Sequence, residues 1–221
     1  MKLLFQAITK YIFGVLLIAL LLFLPSGTIN FWNAWLFMGL LFIPMFFVGL
    51  VLWFKDKELL KKRLNAKEKQ SVQKNVILIT LIIFIIGFRV AGLDFKYNWT
   101  TIPNWAIIMG SIILLISYAL YIEVMRENTY LSRTIEIQEN QKVIDTGLYA
   151  IVRHPMYMST TLLYLSFPLV LGSLSAFIIF LQFPFVLDKR INNEEEILEK
   201  DLKGYKEYKQ KVKYKMIPFI W

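Results

Sequence analysis

Four long apolar segments limit most strongly how this chain can fold. They run over Ile8–Leu24, Phe31–Phe54, Val76–Leu93 and Pro103–Val124, and 57% of all residues are hydrophobic. A helix needs roughly 20 apolar residues to cross the hydrocarbon core of a bilayer. It also satisfies its own backbone hydrogen bonds there. The sequence therefore predicts four membrane-spanning helices, and its composition is too apolar for an ordinary soluble domain.

A fifth apolar region, Met156–Leu187, is interrupted at Pro168, Gly172 and Pro184. Because proline and glycine break a continuous helix, this region is predicted to form a hairpin of two shorter helices. The charged stretch Lys189–Leu202 is predicted to form a helix on the cytoplasmic side. The predicted fold class is an all-α integral membrane protein. It has about six membrane helices, which are four spans plus a C-terminal helical hairpin, and a cytoplasmic C-terminal helical segment.

The charge distribution predicts how the spans are oriented. The formal net charge is +9, and lysines and arginines are concentrated in the Lys55–Lys74 connection and near the C-terminus. Cytoplasmic loops carry an excess of such residues, so we expect this connection and the N-terminus to lie inside. The connections 25–30 and 94–101 would then lie outside. Positive loops also explain the basic charge without nucleic acid, which we do not expect as a partner.

The composition also restricts the chemistry of any site. The chain has no cysteine and a single histidine. Disulfides, thiolate ligands and cysteine nucleophiles are excluded, and we expect no metal site. The patterns G-x-G-x-x-G and Walker A do not occur, which argues against a Rossmann fold. His154 has no evident carboxylate to orient it, so a Ser-His-Asp arrangement is not predicted.

The most informative local pattern is Arg153-His-Pro-Met-Tyr157, which holds the only histidine and precedes an apolar segment. Pro155 is typical of the first turn of a helix, where its missing N–H costs nothing. The free N–H groups of such a turn attract carboxylates and phosphates. The aromatic rings of Tyr149 and Tyr157 suit a cation or a planar group. The alternative is a helix start at headgroup level, with Arg153 and His154 reaching lipid phosphates.

Other charged residues have two interpretations as well. Arg190 and Glu194 lie four residues apart, so they share one face of a helix. They either bind a ligand or form a solvated ion pair of little energetic value. Glu123 and Arg126, at the end of the fourth apolar segment, are interpreted as interfacial residues. Asp94, at the end of the third segment, is expected to reach the outer membrane surface.

Four motifs occur in the second half of the chain. They are Gly147-Leu-Tyr149, Arg153-His-Pro-Met-Tyr157, Arg190-x-x-x-Glu194-Glu195 and Gly204-Tyr-x-x-Tyr208, followed by Ile217-Pro218. Together they resemble the isoprenylcysteine carboxyl methyltransferase family, within a wider group that includes integral-membrane phospholipid N-methyltransferases. The resemblance covers about Asn128 to the last residue. It implies an S-adenosylmethionine-dependent methyltransferase of the carboxyl O-methyltransferase type. The acceptor would be lipidic, such as a prenylcysteine-like carboxylate, and the active site would face the cytoplasm.

The resemblance also implies roles for single residues. Arg190 and Glu194 would be the catalytic residues, with Arg190 next to the acceptor. Glu194 and Glu195 compete for one contact to the cofactor. The chain has Asn140-Gln141 where the family often has Gly-His, which departs from the pattern at Gln141. The implied cofactor-binding residues are Gln141, Lys142, Val143, Ile144, Tyr149, His154, Pro155, Met156, Tyr157, Glu194 and Glu195.

The expected organisation is a single membrane domain. Residues 1–125 would hold the N-terminal spans, and residues 126–221 would form the cofactor-binding and catalytic half. Three alternatives stay open at this point. The chain could be a phospholipid N-methyltransferase, a reductase of the sterol-reductase type that uses NADPH, or a non-catalytic membrane scaffold.

Overall fold

The structure is a computed structural model that describes residues 2–64, 71–131 and 137–221, with only the backbone described at Ser71 and Val72. Within these ranges the chain is helical and contains no β-strand. A short 3₁₀ helix, Gly147–Ala150, stands between the fifth and sixth α-helices. The α-helices are α1 (Lys2–Ser26), α2 (Trp32–Lys55), α3 (Lys57–Leu64), α4 (Ser71–Tyr97), α5 (Asn104–Glu127), α6 (Pro155–Leu171), α7 (Leu174–Phe180), α8 (Phe183–Asp201) and α9 (Tyr205–Lys211).

The four predicted spans are confirmed as helices α1, α2, α4 and α5, each long and apolar enough to cross a membrane. Only 11% to 33% of the most apolar 18-residue window of each helix is buried inside the protein. Large apolar side chains such as Phe13, Leu16 and Leu20 therefore point outward. An apolar outer surface of this extent suits lipid and would be unfavourable in water.

Phenylalanine side chains fill the centre of the bundle. Phe37, Phe88, Phe180 and Phe183 are buried to 1% exposure or less. Their rings approach one another edge-on or tilted; those of Phe88 and Phe180, for example, have centroids 5.6 Å apart. A Cβ atom on Gly87 of α4 would lie 2.3 Å from the Phe180 ring, so glycine allows the close approach of α7.

The hairpin predicted for Met156–Leu187 is present, and its turn lies at Gly172 and Ser173. Gly172 ends α6 in a left-handed conformation with φ 75°, which glycine adopts without steric cost. Ser173 then begins α7, because its side-chain oxygen accepts a hydrogen bond from the backbone N–H of Ala176. The chain reverses direction within these two residues, and α6 packs along α5 on one side of the hairpin.

The second arm of the hairpin differs from the prediction in where it breaks. The interruption lies at Leu181 and Gln182, between α7 and α8, and not at Pro184. Pro184 instead occupies the first turn of α8, where a missing N–H is tolerated. Helix α8 then continues to Asp201, so the helix predicted at Lys189–Leu202 is its later part. The Lys55–Lys74 connection contains α3, and its residues 65–70 lie outside the described residues.

Asp94 does not reach the membrane surface as the sequence suggested. Its side chain is 1% exposed and accepts hydrogen bonds from the backbone and hydroxyl of Thr100, at 2.7 and 2.6 Å. The hydroxyl of Ser173 also donates to it. This group, which we call the Asp94 latch, ties the hairpin turn to the connection between α4 and α5. Burial is favourable here because each carboxylate oxygen receives a hydrogen bond.

Replacing Asp94 by alanine is expected to lower the free energy of unfolding by about 2 kcal/mol, because buried donors lose their charged acceptor. Thermal unfolding in detergent measures this loss. Asp201→Ala, which removes an exposed carboxylate at the end of α8, is the matched control. Equal unfolding temperatures for the two variants would contradict the structural role of Asp94.

Candidate functional site

One cavity gathers most of the motif residues at one end of the bundle. Its volume is about 880 Å³, which includes the open solvent at its mouth. The segment between α5 and α6 forms one wall, and α8 and α9 form the opposite wall. The lining residues are Asn128, Tyr130, Leu131, Ile137, Gln141, Lys142, Val143, Ile144, Tyr149, Arg153, His154, Met156, Tyr157, Arg190, Glu194, Ile197, Leu198, Leu202, Tyr205 and Tyr208.

The beginning of α6 is fixed by the chain that follows α9. His154 is the residue before the helix and Pro155 occupies its first turn, which confirms the position predicted for this proline. The backbone N–H groups of Arg153 and His154 donate to the carbonyls of Tyr214 and Lys215, each at 2.9 Å. The Arg153–Tyr157 motif is therefore fixed by α6, which it begins, and by hydrogen bonds to the segment 212–216.

A buried carboxylate, Glu195, organises the charged residues behind this helix start. Its side chain is 5% exposed and its Oε1 lies 2.7 Å from Arg153 Nε and 3.0 Å from His154 Nε2. Its Oε2 lies 2.8 Å from Lys209 Nζ. We call these four residues the Glu195 cluster. The sequence did not reveal a carboxylate partner for His154, and this expectation was wrong because the partner comes from α8, 41 residues away.

The electrostatics of the Glu195 cluster follow from its contacts. Burial by itself raises the pKa of Glu195, but the hydrogen bonds from His154, Lys209 and Arg153 outweigh it and hold the pKa far below its usual range. The hydrogen bonds to Glu195 and Glu199 raise the pKa of Lys209. Glu195 therefore stays ionised and Lys209 stays protonated across the neutral pH range.

A second chain of polar contacts lies on the cavity side of α8. The Nε of Arg190 donates to the hydroxyl oxygen of Tyr157 at 2.9 Å, and this hydroxyl donates to Glu194 Oε2 at 2.6 Å. Arg190 and Glu194 are thus not a simple solvated ion pair. A tyrosine hydroxyl from α6 bridges them, and all three residues line the cavity.

The wall before α6 is anchored by tyrosine and glutamate side chains. Asn128 Nδ2 donates to the Tyr149 hydroxyl at 2.8 Å, and the Tyr208 hydroxyl donates to the Tyr149 carbonyl at 2.8 Å. Gly147 has φ +49°, and a Cβ there would lie 2.3 Å from a Glu127 carboxylate oxygen. Burial raises the pKa values of Tyr149 and Tyr208, so both hydroxyls stay protonated at neutral pH.

The structure brings together ten of the residues that the resemblance singled out. Gln141, Lys142, Val143, Ile144, Tyr149, His154, Met156, Tyr157, Arg190 and Glu194 all line the cavity. Pro155 and Glu195 do not. Pro155 shapes the helix start, and Glu195 belongs to the Glu195 cluster. Of the two competing glutamates, Glu194 is therefore the one that faces the cavity.

Sequence reasoning missed several wall residues. Tyr205 and Tyr208 were visible in the Gly204-Tyr-x-x-Tyr208 motif, although no role was given to them. Ile197 and Leu198 follow Glu194 by three and four residues, so helical spacing placed them on its face of α8. Leu202 follows Leu198 by four residues at the end of α8, so the same spacing applied to it. The others gave no usable signal, because their positions depend on the course of the segment between α5 and α6; these are Asn128, Tyr130, Leu131 and Ile137.

Comparisons with known proteins agree with this geometry. Residues 105–203 match the phospholipid methyltransferase family. The fold is similar to the solved structure of a eukaryotic intramembrane Ras methyltransferase, isoprenylcysteine carboxyl methyltransferase. The TM-score is 0.57 at 16% identity, over 99% of this chain and 85% of that one. A search of curated protein sequences finds no match.

These matches confirm the resemblance to the integral-membrane methyltransferases and the all-helical membrane fold. Both the family match and the structural likeness are to membrane methyltransferases of this group. The matched residues 105–203 include α5 from its second residue, α6, α8 and the wall before α6. The match therefore includes every motif residue of the cavity except Tyr205 and Tyr208.

Replacing Glu195 by glutamine is expected to lower the free energy of unfolding by about 3–5 kcal/mol, since buried positive charges lose their partner. Thermal unfolding of Glu195→Gln and of the matched control Glu196→Gln, an exposed neighbour, measures this difference.

A carboxyl with a lowered pKa stabilises the fold above its unfolded pKa of about 4.3 and loses this effect as pH falls. The wild type should therefore lose stability below about pH 4 more steeply than Glu195→Gln. Parallel acid profiles would contradict this.

Proposed function

We propose that this chain, which resembles the isoprenylcysteine carboxyl methyltransferases and matches the phospholipid methyltransferase family, is an S-adenosylmethionine-dependent methyltransferase embedded in the membrane. Its acceptor is a lipidic or lipidated molecule. The observation that carries the proposal is the Arg190–Tyr157–Glu194 chain inside one cavity at the end of an apolar bundle. That cavity offers separate groups for a polar cofactor and for a charged acceptor.

The donor set of the cavity fits S-adenosylmethionine. The cofactor carries a sulfonium, an ammonium, ribose hydroxyls and a planar base. Glu194 accepts hydrogen bonds from hydroxyl or ammonium groups, and tyrosine rings attract a cation. Apolar side chains such as Val143 and Leu198 suit a planar base. We assign the cofactor to the 141–144 stretch, Tyr149, His154, Met156, Tyr157 and Glu194.

The protein's part in the reaction is positioning. S-adenosylmethionine supplies an electrophilic methyl group on its sulfonium when it is bound. An in-line displacement at such a group depends mainly on alignment of the reactants and on exclusion of water. Tyr157 contributes alignment, because its hydroxyl fixes Arg190 and Glu194 relative to each other. Because Nε2 of His154 is engaged with Glu195, we assign the histidine to positioning rather than to proton abstraction.

Arg190 is the proposed acceptor residue. Its guanidinium group suits an anionic group such as a carboxylate, which it binds through two hydrogen bonds. A carboxylate that is already ionised accepts a methyl group without giving up a proton. Arg190 therefore supports the carboxyl O-methyltransferase type, with a prenylcysteine-like carboxylate as the acceptor. The positive-inside distribution of lysine and arginine supports a cytoplasmic site, which a water-soluble cofactor reaches directly.

The second candidate is a phospholipid N-methyltransferase. The description of the family that matches residues 105–203 favours it. In that reaction the acceptor is an amine, and Arg190 would contact the phosphate next to it instead of the reacting group.

Glu194→Gln is expected to weaken binding of S-adenosylhomocysteine by about tenfold or more, since one charge-assisted hydrogen bond contributes about 1.5–3 kcal/mol. Isothermal titration calorimetry of the purified protein measures the dissociation constant. Glu196→Gln is the matched control and should bind as the wild type does. No saturable binding by folded wild type would reject the methyltransferase. Thermal protection by NADPH instead would favour the reductase.

The acceptor class can be read from the chemistry of the methylated product. Membranes that contain the protein are incubated with methyl-labelled S-adenosylmethionine, and the labelled lipid or peptide is treated with alkali. A methyl ester releases volatile methanol, whereas an N-methyl group does not. We expect the label to be released. Alkali-stable label would assign the N-methyltransferase.

We also expect Arg190→Lys to lose most turnover while it keeps cofactor affinity within a few-fold, because lysine lacks the bidentate geometry.

A further inference from the structure

A tight turn at Ile217–Ile220 exposes apolar side chains outside the four spans. Phe219 is 80% exposed and Ile220 is 79% exposed, among the highest values for large apolar residues here. These side chains lie close together, because Trp221 N–H donates to the Ile217 carbonyl and Ile217 N–H donates to the Trp221 carbonyl. The segment is therefore a closed turn that presents its apolar side chains outward.

The backbone conformation at Phe219 is unfavourable for a bulky side chain. Phe219 has φ +64°, a left-handed conformation that asparagine and glycine adopt far more readily than a bulky residue does. The Tyr214 ring contacts the Phe219 ring edge-on, with centroids 5.5 Å apart. The turn thus exposes the Phe219 ring on the protein surface, where contact with water would be unfavourable.

The contacts of the turn place it where α8 changes from apolar to charged. Lys215 Nζ lies 2.8 Å from Asp188 Oδ1 and 2.8 Å from the Asn192 side-chain oxygen. Trp221 packs on the buried cluster that includes Leu187 and Ile191. Phe185, one turn before Asp188, is 74% exposed and belongs to the apolar part of α8. The exposed Phe185 ring therefore comes just before the part of α8 that Lys215 and Trp221 contact.

We propose that the Ile217–Ile220 turn inserts into the bilayer at the boundary between hydrocarbon and headgroups, and that lipid is its binding partner. Continuity along α8 supports this partner, because the neighbours of the turn, Lys215 and Trp221, contact the part of α8 that directly follows the exposed Phe185. Aromatic residues favour this boundary, and interfacial side chains reach about 5–10 Å into it. The exposed Lys213 beside the turn complements anionic headgroups.

Insertion of the turn also restrains the segment 212–216, which contacts the start of α6. The segment 212–216 accepts hydrogen bonds from the Arg153 side chain, at the carbonyls of Val212 and Lys213. The Thr161 hydroxyl donates to the sulfur of Met216, which is fully buried. A turn fixed in lipid therefore restrains the residues next to His154 from the membrane side.

The cysteine-free chain permits a direct test by single labels. Phe219→Cys and, separately, Lys206→Cys on the exposed face of α9 are labelled with an environment-sensitive thiol fluorophore and reconstituted in vesicles. We expect the label at 219 to be quenched severalfold more strongly by lipids with brominated acyl chains. Aqueous iodide should quench it less than the label at 206. The readout uses neither methyl donor nor acceptor, so it is independent of the proposed enzymatic function.

The same experiment overturns the proposal if iodide quenches both labels equally and brominated lipids quench neither. Ile220→Cys repeats the measurement in case the change at 219 disturbs the fold. Crosslinking between labelled copies that persists as the vesicles are diluted in lipid would assign the turn to a second copy of this chain. Phe219→Asn, which suits the left-handed backbone, should keep the fold and reduce quenching of a label at 220 by the brominated lipids.

Discussion

The buried carboxylate of Glu195 is the interaction on which the rest of the site depends. It accepts hydrogen bonds from three residues in two separate parts of the chain: Arg153 and His154 before α6, and Lys209 on α9. Arg153 extends this connection to the carbonyls of Val212 and Lys213. A charge in such a position is costly unless every partner is in place. The cluster therefore ties α6, α8, α9 and the segment after α9 to one another.

The two ends of the bundle are held by polar groups, and its middle by aromatic rings. Helix α4 rises about 1.5 Å per residue, so Asp94 lies roughly 30 Å from Gln73 at the opposite end of the same helix. The Asp94 latch closes the hairpin turn at one end, while Gln73 Nε2 donates to the Arg190 carbonyl at the other. Between them, side chains such as Phe88 and Phe180 pack without hydrogen bonds. This division leaves the cavity end free to specialise for binding.

Much of the fold was predictable because hydropathy and helix breakers act locally. The spans followed from apolar length, and the hairpin turn followed from Gly172. Long-range partners were not predictable in the same way. Asp94 was expected at the surface because its partner Ser173 lies 79 residues away, and His154 was expected to lack a carboxylate for the same reason. The break at Leu181 and Gln182 was also missed, since Pro184 could either interrupt a helix or begin one.

The neighbouring glutamates show how the helical period divides structure from binding. Successive residues of an α-helix point about 100° apart. Ile191 and Glu195, four residues apart, share the buried face of α8, whereas Arg190, Glu194 and Leu198 share the cavity face. The same carboxylate chemistry therefore serves two purposes. Glu195 is saturated by protein cations and holds the fold. Glu194 accepts a hydrogen bond from Tyr157 in the described part of the chain, and its carboxylate has further acceptor capacity for a ligand. A shift of α8 by one residue would exchange these environments, so binding at Glu194 depends on the register that Glu195 sets.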